Sequence, residues 1–148
     1  MEGTKLAALD TTVQRTHQWL NEIMADLSEG NQHLAYGALR AVLHALRDRL
    51  TVEEAAHLGA QLLMLIRGLY YDGWSPSGKP AKTHKAEFLE AIRSQFPPNV
   101  SRPSPEMLAR SVFRVLAHHV SAGEVRDVQS ILPKELRDLW PAPSKSER

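Results

Sequence analysis

A degenerate internal repeat constrains the fold of this chain more than any other feature of its sequence. Within the stretch Arg40–Trp74, the residues from Arg40 to Tyr70 are matched, without gaps, by a second stretch that begins at Arg110 and ends at Trp140. The identical pairs are Arg40/Arg110, Val42/Val112, Leu46/Leu116, Glu54/Glu124, Leu62/Leu132, Arg67/Arg137 and Leu69/Leu139. Because self-similarity at a fixed offset is the signature of a repeated structural unit, we expect two copies of one unit.

Each copy contains a capping-box pattern at the same place in the repeat. Thr51 is followed three residues later by Glu54, and Ser121 by Glu124. In such a box the hydroxyl accepts a backbone N–H of the first turn, and the glutamate reaches back to the cap residue. The pattern therefore predicts that equivalent helices begin after Thr51 and Ser121.

Apolar residues recur at helical spacing throughout, and no alternating strand pattern persists. We predict an all-α fold: an internally duplicated helical bundle of two three-helix units, related by a pseudo-twofold axis, plus a short C-terminal helix. A single domain is expected over residues 10–141, with repeats at about 11–74 and 83–140 and a disordered tail at 142–148. The predicted core includes Leu46, Leu58, Leu62, Ile66, Leu116, Val128 and Leu132.

Local signals place the helix ends. The first helix, with Val13 on its apolar face, is expected to begin at a cap on Asp10 or Thr11 and to run to about Ser28, with Gly30 as the C-terminal stop signal. The third should run unbroken from Thr51 to about Leu69. Gly59 inside it costs about 1 kcal/mol relative to alanine, which predicts a close approach by another helix.

Composition bounds the function. The 148 residues carry a net charge of +1 and no cysteine, so a disulfide framework, a thiolate metal site and a cysteine nucleophile are excluded. The N-terminal residues lack the pattern of a signal peptide, and no apolar run is long enough to span a bilayer. We therefore expect a cytoplasmic protein with no membrane partner.

The string LIRGLYYDGW, Leu65–Trp74, is the most specific part of a family resemblance. Together with the later segments HKAEFLEAI and LPKELRDLW, it resembles a bacterial family of uncharacterised helical proteins, the domain-of-unknown-function family 2267. The resemblance implies a duplicated all-α bundle and no established activity. Members of that family often carry proline where this chain has Leu63, so we expect its third helix to run straighter than theirs.

Two basic stripes occupy corresponding positions in the two copies. At helical spacings of three and four, they consist of Arg40, His44 and Arg47 in the first copy and Arg110, Arg114 and His118 in the second. Such stripes could bind phosphates or the carboxylates of a partner, or they could be solvated faces with local ion pairs. Nucleic acid is not excluded, but the near-zero net charge and the absence of a recognition-helix signature give it little support.

Three further features have both a structural and a functional interpretation. Arg67 could stabilise a helix terminus or stack on the aromatic residues that follow it. Tyr71 and Trp74 could line a ligand pocket or seal the core. His44 with Asp48, and His118 with His119, have ligand-compatible chemistry, but neighbours on a helix point in different directions and no motif completes a metal site.

The leading functional hypothesis is a non-enzymatic scaffold or adaptor that works through protein–protein contacts, with homodimerisation as one mode. Excess apolar surface around Gly59, Ala60, Leu63 and Met64 motivates it. The second hypothesis is nucleic-acid or anion binding by the stripes, and the third is a small-molecule site at the aromatic linker. We identify no catalytic residue, no cofactor and no metal ligand.

Overall fold

The computed structural model describes residues 6–98 and 102–142. Within these residues the chain forms eight α-helices and no β-strand, as the sequence predicts. The helices are α1 Ala7–Leu27, α2 Gln32–Arg49, α3 Val52–Ala60, α4 Met64–Tyr71, α5 Lys85–Arg93, α6 Pro105–His119, α7 Ala122–Ile131 and α8 Lys134–Arg137. None of them is long and apolar enough to cross a membrane.

Helices α2 and α6 form the centre of the bundle and pack against each other. Helices α1 and α5 each contact both of them, α3 contacts α7, and α4 lies against α1, α2 and α3. All seven predicted core residues are at most 2% exposed, which confirms the assignment of the inward faces. The core is thus a single cluster shared by the two halves of the sequence.

Four predicted helix starts are confirmed by their caps. The side chains of Asn31, Thr51, Ser104 and Ser121 each accept a backbone N–H from the first turn of the helix that follows. The glutamate half of the capping boxes differs from the prediction, because Glu54 and Glu124 turn inward and face each other where α3 meets α7.

The first helix begins earlier than predicted and ends where it was predicted to end. It starts at Ala7, because the carbonyl of Leu6 already accepts N–H groups from the first turn, so the ordered domain extends before residue 10. Its last helical residue is Leu27, next to the predicted end at about Ser28, and Ser28 rather than Gly30 adopts the left-handed C-cap conformation, at φ 54°. The predicted disordered tail lies outside the described residues except for Ala142.

The prediction of one unbroken third helix is wrong. The chain leaves the helix after Ala60 and begins α4 at Met64, so the break surrounds Leu63, which has extended ψ of 151°. Two side chains from outside the break satisfy its free backbone groups. Thr12 Oγ1 on α1 accepts the N–H of Leu65 at 3.0 Å, and Arg67 donates to carbonyls at the end of α3. These contacts replace the conformational restriction that a proline would supply.

Candidate interaction surface

An open apolar groove lies between α1, the start of α2 and α4. Its cavity volume is about 660 Å³, and its exposed apolar lining consists of Leu9, Val13, Tyr36, Met64 and Leu65. Among the described residues, eight large apolar side chains are exposed, and these five of them surround this one groove. Such a concentration marks an interaction face more often than scattered exposed residues do.

The polar group at the base of the groove is already hydrogen-bonded, and there is free space beside Gly68. Thr12 is buried there, and its hydroxyl accepts the backbone N–H of Leu65. Gly68 also lines the groove, and a Cβ added to it would meet no atom within 4 Å. The groove is therefore a surface depression into which side chains from outside can enter.

The sequence identified only part of this groove. Met64 was predicted as exposed apolar surface and is 54% exposed, but Gly59 is buried beneath Tyr71. Val13, which the sequence assigns to the core face of α1, is 44% exposed. The missed signal is the spacing of Leu6, Leu9 and Val13, which places them on one side of α1.

Two of the three residues in the first basic stripe, His44 and Arg47, are buried against the end of α4, which differs from the expectation that the stripe is exposed. His44 and Arg47 are 9% and 5% exposed. Arg47 Nη1 donates to the carbonyls of Tyr70 and Asp72 at 2.9 and 3.0 Å, and His44 Nε2 lies 2.8 Å from the carbonyl of Leu69. These carbonyls belong to the last turn of α4, where cations and donors are favourable.

The proton on His44 can be placed from its partner. A carbonyl oxygen only accepts, so Nε2 carries the hydrogen that it donates to Leu69. Burial lowers the pKa of His44, and the nearby Arg47 and Arg40 act in the same direction. His44 is therefore neutral near pH 7 and contributes a hydrogen bond to the helix terminus.

The remaining members of the stripes are engaged with side chains or backbone of the same chain. Arg40 contacts Gln95 at 3.0 Å and Asp72 at 3.3 Å. Arg110 donates to Glu106 and to the carbonyl of Asp138 at the end of α8, and Arg114 lies 3.3 Å from Asp26. The stripes therefore do not present their guanidinium groups unpaired to solvent, and anion binding by them stays a prediction.

Arg67 caps α3, in agreement with the first of its two predicted roles. Its guanidinium donates to the carbonyls of Gly59, Ala60 and Leu62 at 2.9 to 3.3 Å. The helix that it stabilises is the preceding one, because the break at Leu63 turns the side chain back towards α3.

The aromatic linker packs against the core. Tyr70 is fully buried, and its hydroxyl donates to the carbonyl of Ala55 at 2.7 Å. Burial raises the pKa of Tyr70, which keeps this donor protonated. The ring of Tyr71 lies over Gly59 and contacts Trp74 at a centroid distance of 5.5 Å. The close approach predicted at Gly59 is thus confirmed, but the approaching group is a tyrosine ring.

Two glutamates from equivalent positions meet between α3 and α7. Glu54 and Glu124 are 9% and 7% exposed, and within the described residues no hydrogen-bond donor reaches Oε2 of either. Burial raises the pKa of Glu124 to about 8, and the facing Glu54 and nearby Asp127 add to the effect. A carboxyl that keeps its proton can donate to its neighbour, so the pair is stable while one member is neutral.

His118 and His119 converge on one carboxylate, contrary to the expectation that adjacent helical residues diverge. His118 Nδ1 lies 3.0 Å from Glu22 Oε1, and His119 Nε2 lies 2.9 Å from Glu22 Oε2. The convergence is achieved because the two rings use different nitrogens and Glu22 projects from the facing helix α1. No feature of the local sequence signals this long-range contact.

These observations define an all-helical domain with an apolar groove on one face and with His44, Arg47 and Arg67 bound to carbonyls at helix ends. The sequence matches the model of the uncharacterized conserved protein family DUF2267 over residues 16–139, so the chain belongs to that family. No curated protein matches the sequence.

Proposed function

We propose that this protein is a non-enzymatic helical scaffold that acts through protein–protein contacts and self-associates through the apolar groove. The observation that carries the proposal is a difference between equivalent positions. Met64 and Leu65 are exposed at the edge of the groove, whereas the repeat places Lys134 and Glu135 at the corresponding positions of the second copy.

The apolar residues of the groove are not required by the fold. Inward positions are apolar in both copies. Ile66 and Leu136 are fully buried, and Leu62 and Leu132 are each only 2% exposed. The second copy forms its helix with charged residues facing outward, so the first copy could do the same. Lysine and glutamate would be sufficient at positions 64 and 65. The exposed Met64 and Leu65 therefore indicate that another surface covers them.

A second copy of the chain is the occupant that the surface fits. Leu6, Leu9 and Val13 follow one side of α1 at the spacing that amphipathic helices use when they dock into grooves. Leu9 and Val13 form the α1 wall of the groove, and Leu6, which is 64% exposed, extends that wall. A twofold axis at this face would let each copy place its α1 wall in the groove of the other, as an isologous interface requires.

Replacement of the groove residues by their second-copy counterparts tests the proposal. We expect the wild-type protein to show a concentration-dependent dimer by sedimentation equilibrium. The variant Met64→Lys/Leu65→Glu should weaken dimerisation at least about 30-fold, the equivalent of about 2 kcal/mol for a central contact. Its helical content should be unchanged, because both side chains are exposed.

Met107→Lys is the matched control, since Met107 is 50% exposed but lies outside the groove lining. It should dimerise like the wild type. A wild-type protein that stays monomeric at several hundred micromolar, or a dimer that persists in the double variant, would refute the groove as the interface. Binding of an unrelated amphipathic peptide to a monomeric protein would point to a different occupant and also contradict self-association.

We also infer that the two halves arose by internal duplication and are related by a pseudo-twofold axis. The helix contacts support this inference: α1 packs on α2 and α6, and α5 correspondingly packs on α6 and α2. The contacts α2–α6 and α3–α7 would lie on the axis, where Glu54 also meets Glu124. We also propose that the protein is located in the cytoplasm.

A further inference from the structure

The cluster of Glu22, His118 and His119 lies away from the groove and has the composition of a metal site. The three ligand atoms lie within 4.8 Å of one another. In a tetrahedral zinc site with bonds of about 2.0–2.1 Å, neighbouring ligand atoms are about 3.3 Å apart. His118 Nδ1 lies 3.0 Å from Glu22 Oε1 and His119 Nε2 lies 2.9 Å from Glu22 Oε2, so each carboxylate oxygen faces one imidazole nitrogen at close to that spacing.

The ligands are held in place by packing and by charge. The ring of His119 stacks on the indole of Trp19, with centroids 4.8 Å apart and planes 16° apart. Each oxygen of the Glu22 carboxylate contacts one of the two imidazole rings, which holds the three side chains together.

The surroundings favour a cation and leave room for further ligands. Both histidines lie in the last turn of α6, where the helix dipole is negative. The side chain of His118 is 68% exposed, so water can reach the cluster. Arg114, which lines the same depression as Glu22 and His118, is held 3.3 Å from Asp26, which compensates its charge.

We propose that Glu22, His118 and His119 form a binding site for one divalent transition-metal ion of the zinc class, linking α1 to α6. Two imidazoles and one carboxylate suit Zn²⁺, Co²⁺, Ni²⁺ and Cu²⁺ and suit Mg²⁺ and Ca²⁺ poorly, since the latter prefer oxygen ligands. The ion would displace the proton that each imidazole nitrogen now shares with Glu22, and water would complete the coordination.

Titration of the tag-free protein with zinc chloride tests the site. We expect one Zn²⁺ per chain by calorimetry, a rise in the melting temperature on zinc addition, and weaker binding in acid, where protons compete with the ion for its ligands. His118→Ala, His119→Ala and Glu22→Gln should each weaken binding at least about 10-fold. Cobalt binding should produce visible absorption bands whose intensity reports the coordination number.

His84→Ala is the matched control, because His84 also faces a single carboxylate, at 3.6 Å from Glu135, but has no second histidine. It should leave zinc affinity unchanged. Absence of zinc binding to the folded wild type at millimolar zinc would overturn the proposal, and so would binding that survives all three ligand substitutions. If the cluster is only an ion pair, zinc will not change the melting temperature of the wild type or of the ligand variants, and the proposal is refuted.

Discussion

The segments α3–α4 and α7–α8 occupy equivalent places in the repeat and break at equivalent places. The second break has Pro133 at its N-cap, with φ −66° and ψ 159°. The first has Leu63, with φ −56° and ψ 151°. Two different residues therefore hold nearly the same backbone conformation, one through its ring and the other through contacts from its surroundings.

Side-chain hydrogen bonds from other parts of the chain hold the first segment in place. Arg67 ties the end of α3, Thr12 accepts an N–H at the start of α4, and Arg47 closes its far end. The position equivalent to Arg47 in the second copy is Ala117, so this closure is specific to the first copy. The first segment is built to hold a two-turn helix, α4, against α1.

The first helix is also larger in the first half of the chain than in the second half. Helix α1 has 21 residues and α5 has 9, and the extra turns of α1 provide the groove residues Leu9 and Val13. The second half lacks these turns and has charged residues where α4 has Met64 and Leu65. The groove is therefore present in one half of the chain only, which is why we assign it a role outside folding.

The largest effect is expected where the two copies meet, at the Glu54–Glu124 pair. The pKa of Glu124 is raised from 4.5 to about 8, so the folded state binds a proton that the unfolded state releases. The stabilisation is complete below about pH 4.5 and is lost as the pH rises through about 8. We expect the free energy of unfolding, measured by urea denaturation, to fall by a few kcal/mol between these limits.

Glu124→Gln should remove this component of the pH dependence, because an amide stays neutral and can still donate to Glu54. The variant should be more stable than the wild type at pH 9. Glu53→Gln is the control, since Glu53 is exposed next to the buried pair. Equal pH slopes in wild type and Glu124→Gln would mean that Glu124 is ionised in the fold at neutral pH.

The sequence predicted the parts of this fold that depend on local pattern. The inward faces, the caps at Thr51 and Ser121, and the break at Pro133 follow from spacing and from backbone chemistry that neighbouring residues impose. The break at Leu63 could not be found that way, because its supports, Thr12 and Arg67, act through the folded structure. Only the alignment of Leu63 with Pro133 carried a signal.

The candidate surface was harder to predict for the same reason. A stripe of Arg40, His44 and Arg47 looks the same in sequence whether it faces solvent or the end of another helix. Here the carbonyls of α4 lie against it, and they bury two of the three side chains. The meeting of Glu22 with His118 likewise depends on the packing of α1 against α6, which no local pattern encodes.

A smaller effect is expected at Gly59, whose counterpart in the second copy is Gln129. A Cβ at Gly59 would lie 2.3 Å from the hydroxyl oxygen of Tyr71 and 2.7 Å from its Cζ. Gly59→Ala should therefore destabilise the protein by about 1–2 kcal/mol, since displacement of the ring outweighs the gain of about 1 kcal/mol in helix propensity. Chemical denaturation measures the difference.

Gly68→Ala is the matched control, because it lies in the adjacent helix and its added Cβ meets nothing within 4 Å. It should be neutral or stabilising by up to about 1 kcal/mol. The double variant Gly59→Ala/Tyr71→Ala should show favourable coupling, since the alanine at 59 no longer meets a ring. Additive costs in the double variant would show that Tyr71 is not the reason for glycine at this position.

The smallest effect, and the most direct test of the equivalence of the two breaks, is expected for Leu63→Pro. The φ of Leu63 already suits proline, and in the described part of the chain its N–H donates to no backbone carbonyl. Proline restricts the unfolded chain at such a site, which stabilises a protein by about 0.4–1 kcal/mol. Part of that gain will be offset because Leu63 is half-buried against the core.

Leu63→Ala removes the same side chain without restricting the backbone, so the stability of Leu63→Pro relative to Leu63→Ala isolates the conformational contribution. Proline should be the more stable of the two, and a proline variant that is less stable than the alanine variant would mean that the two breaks differ in backbone conformation at Leu62.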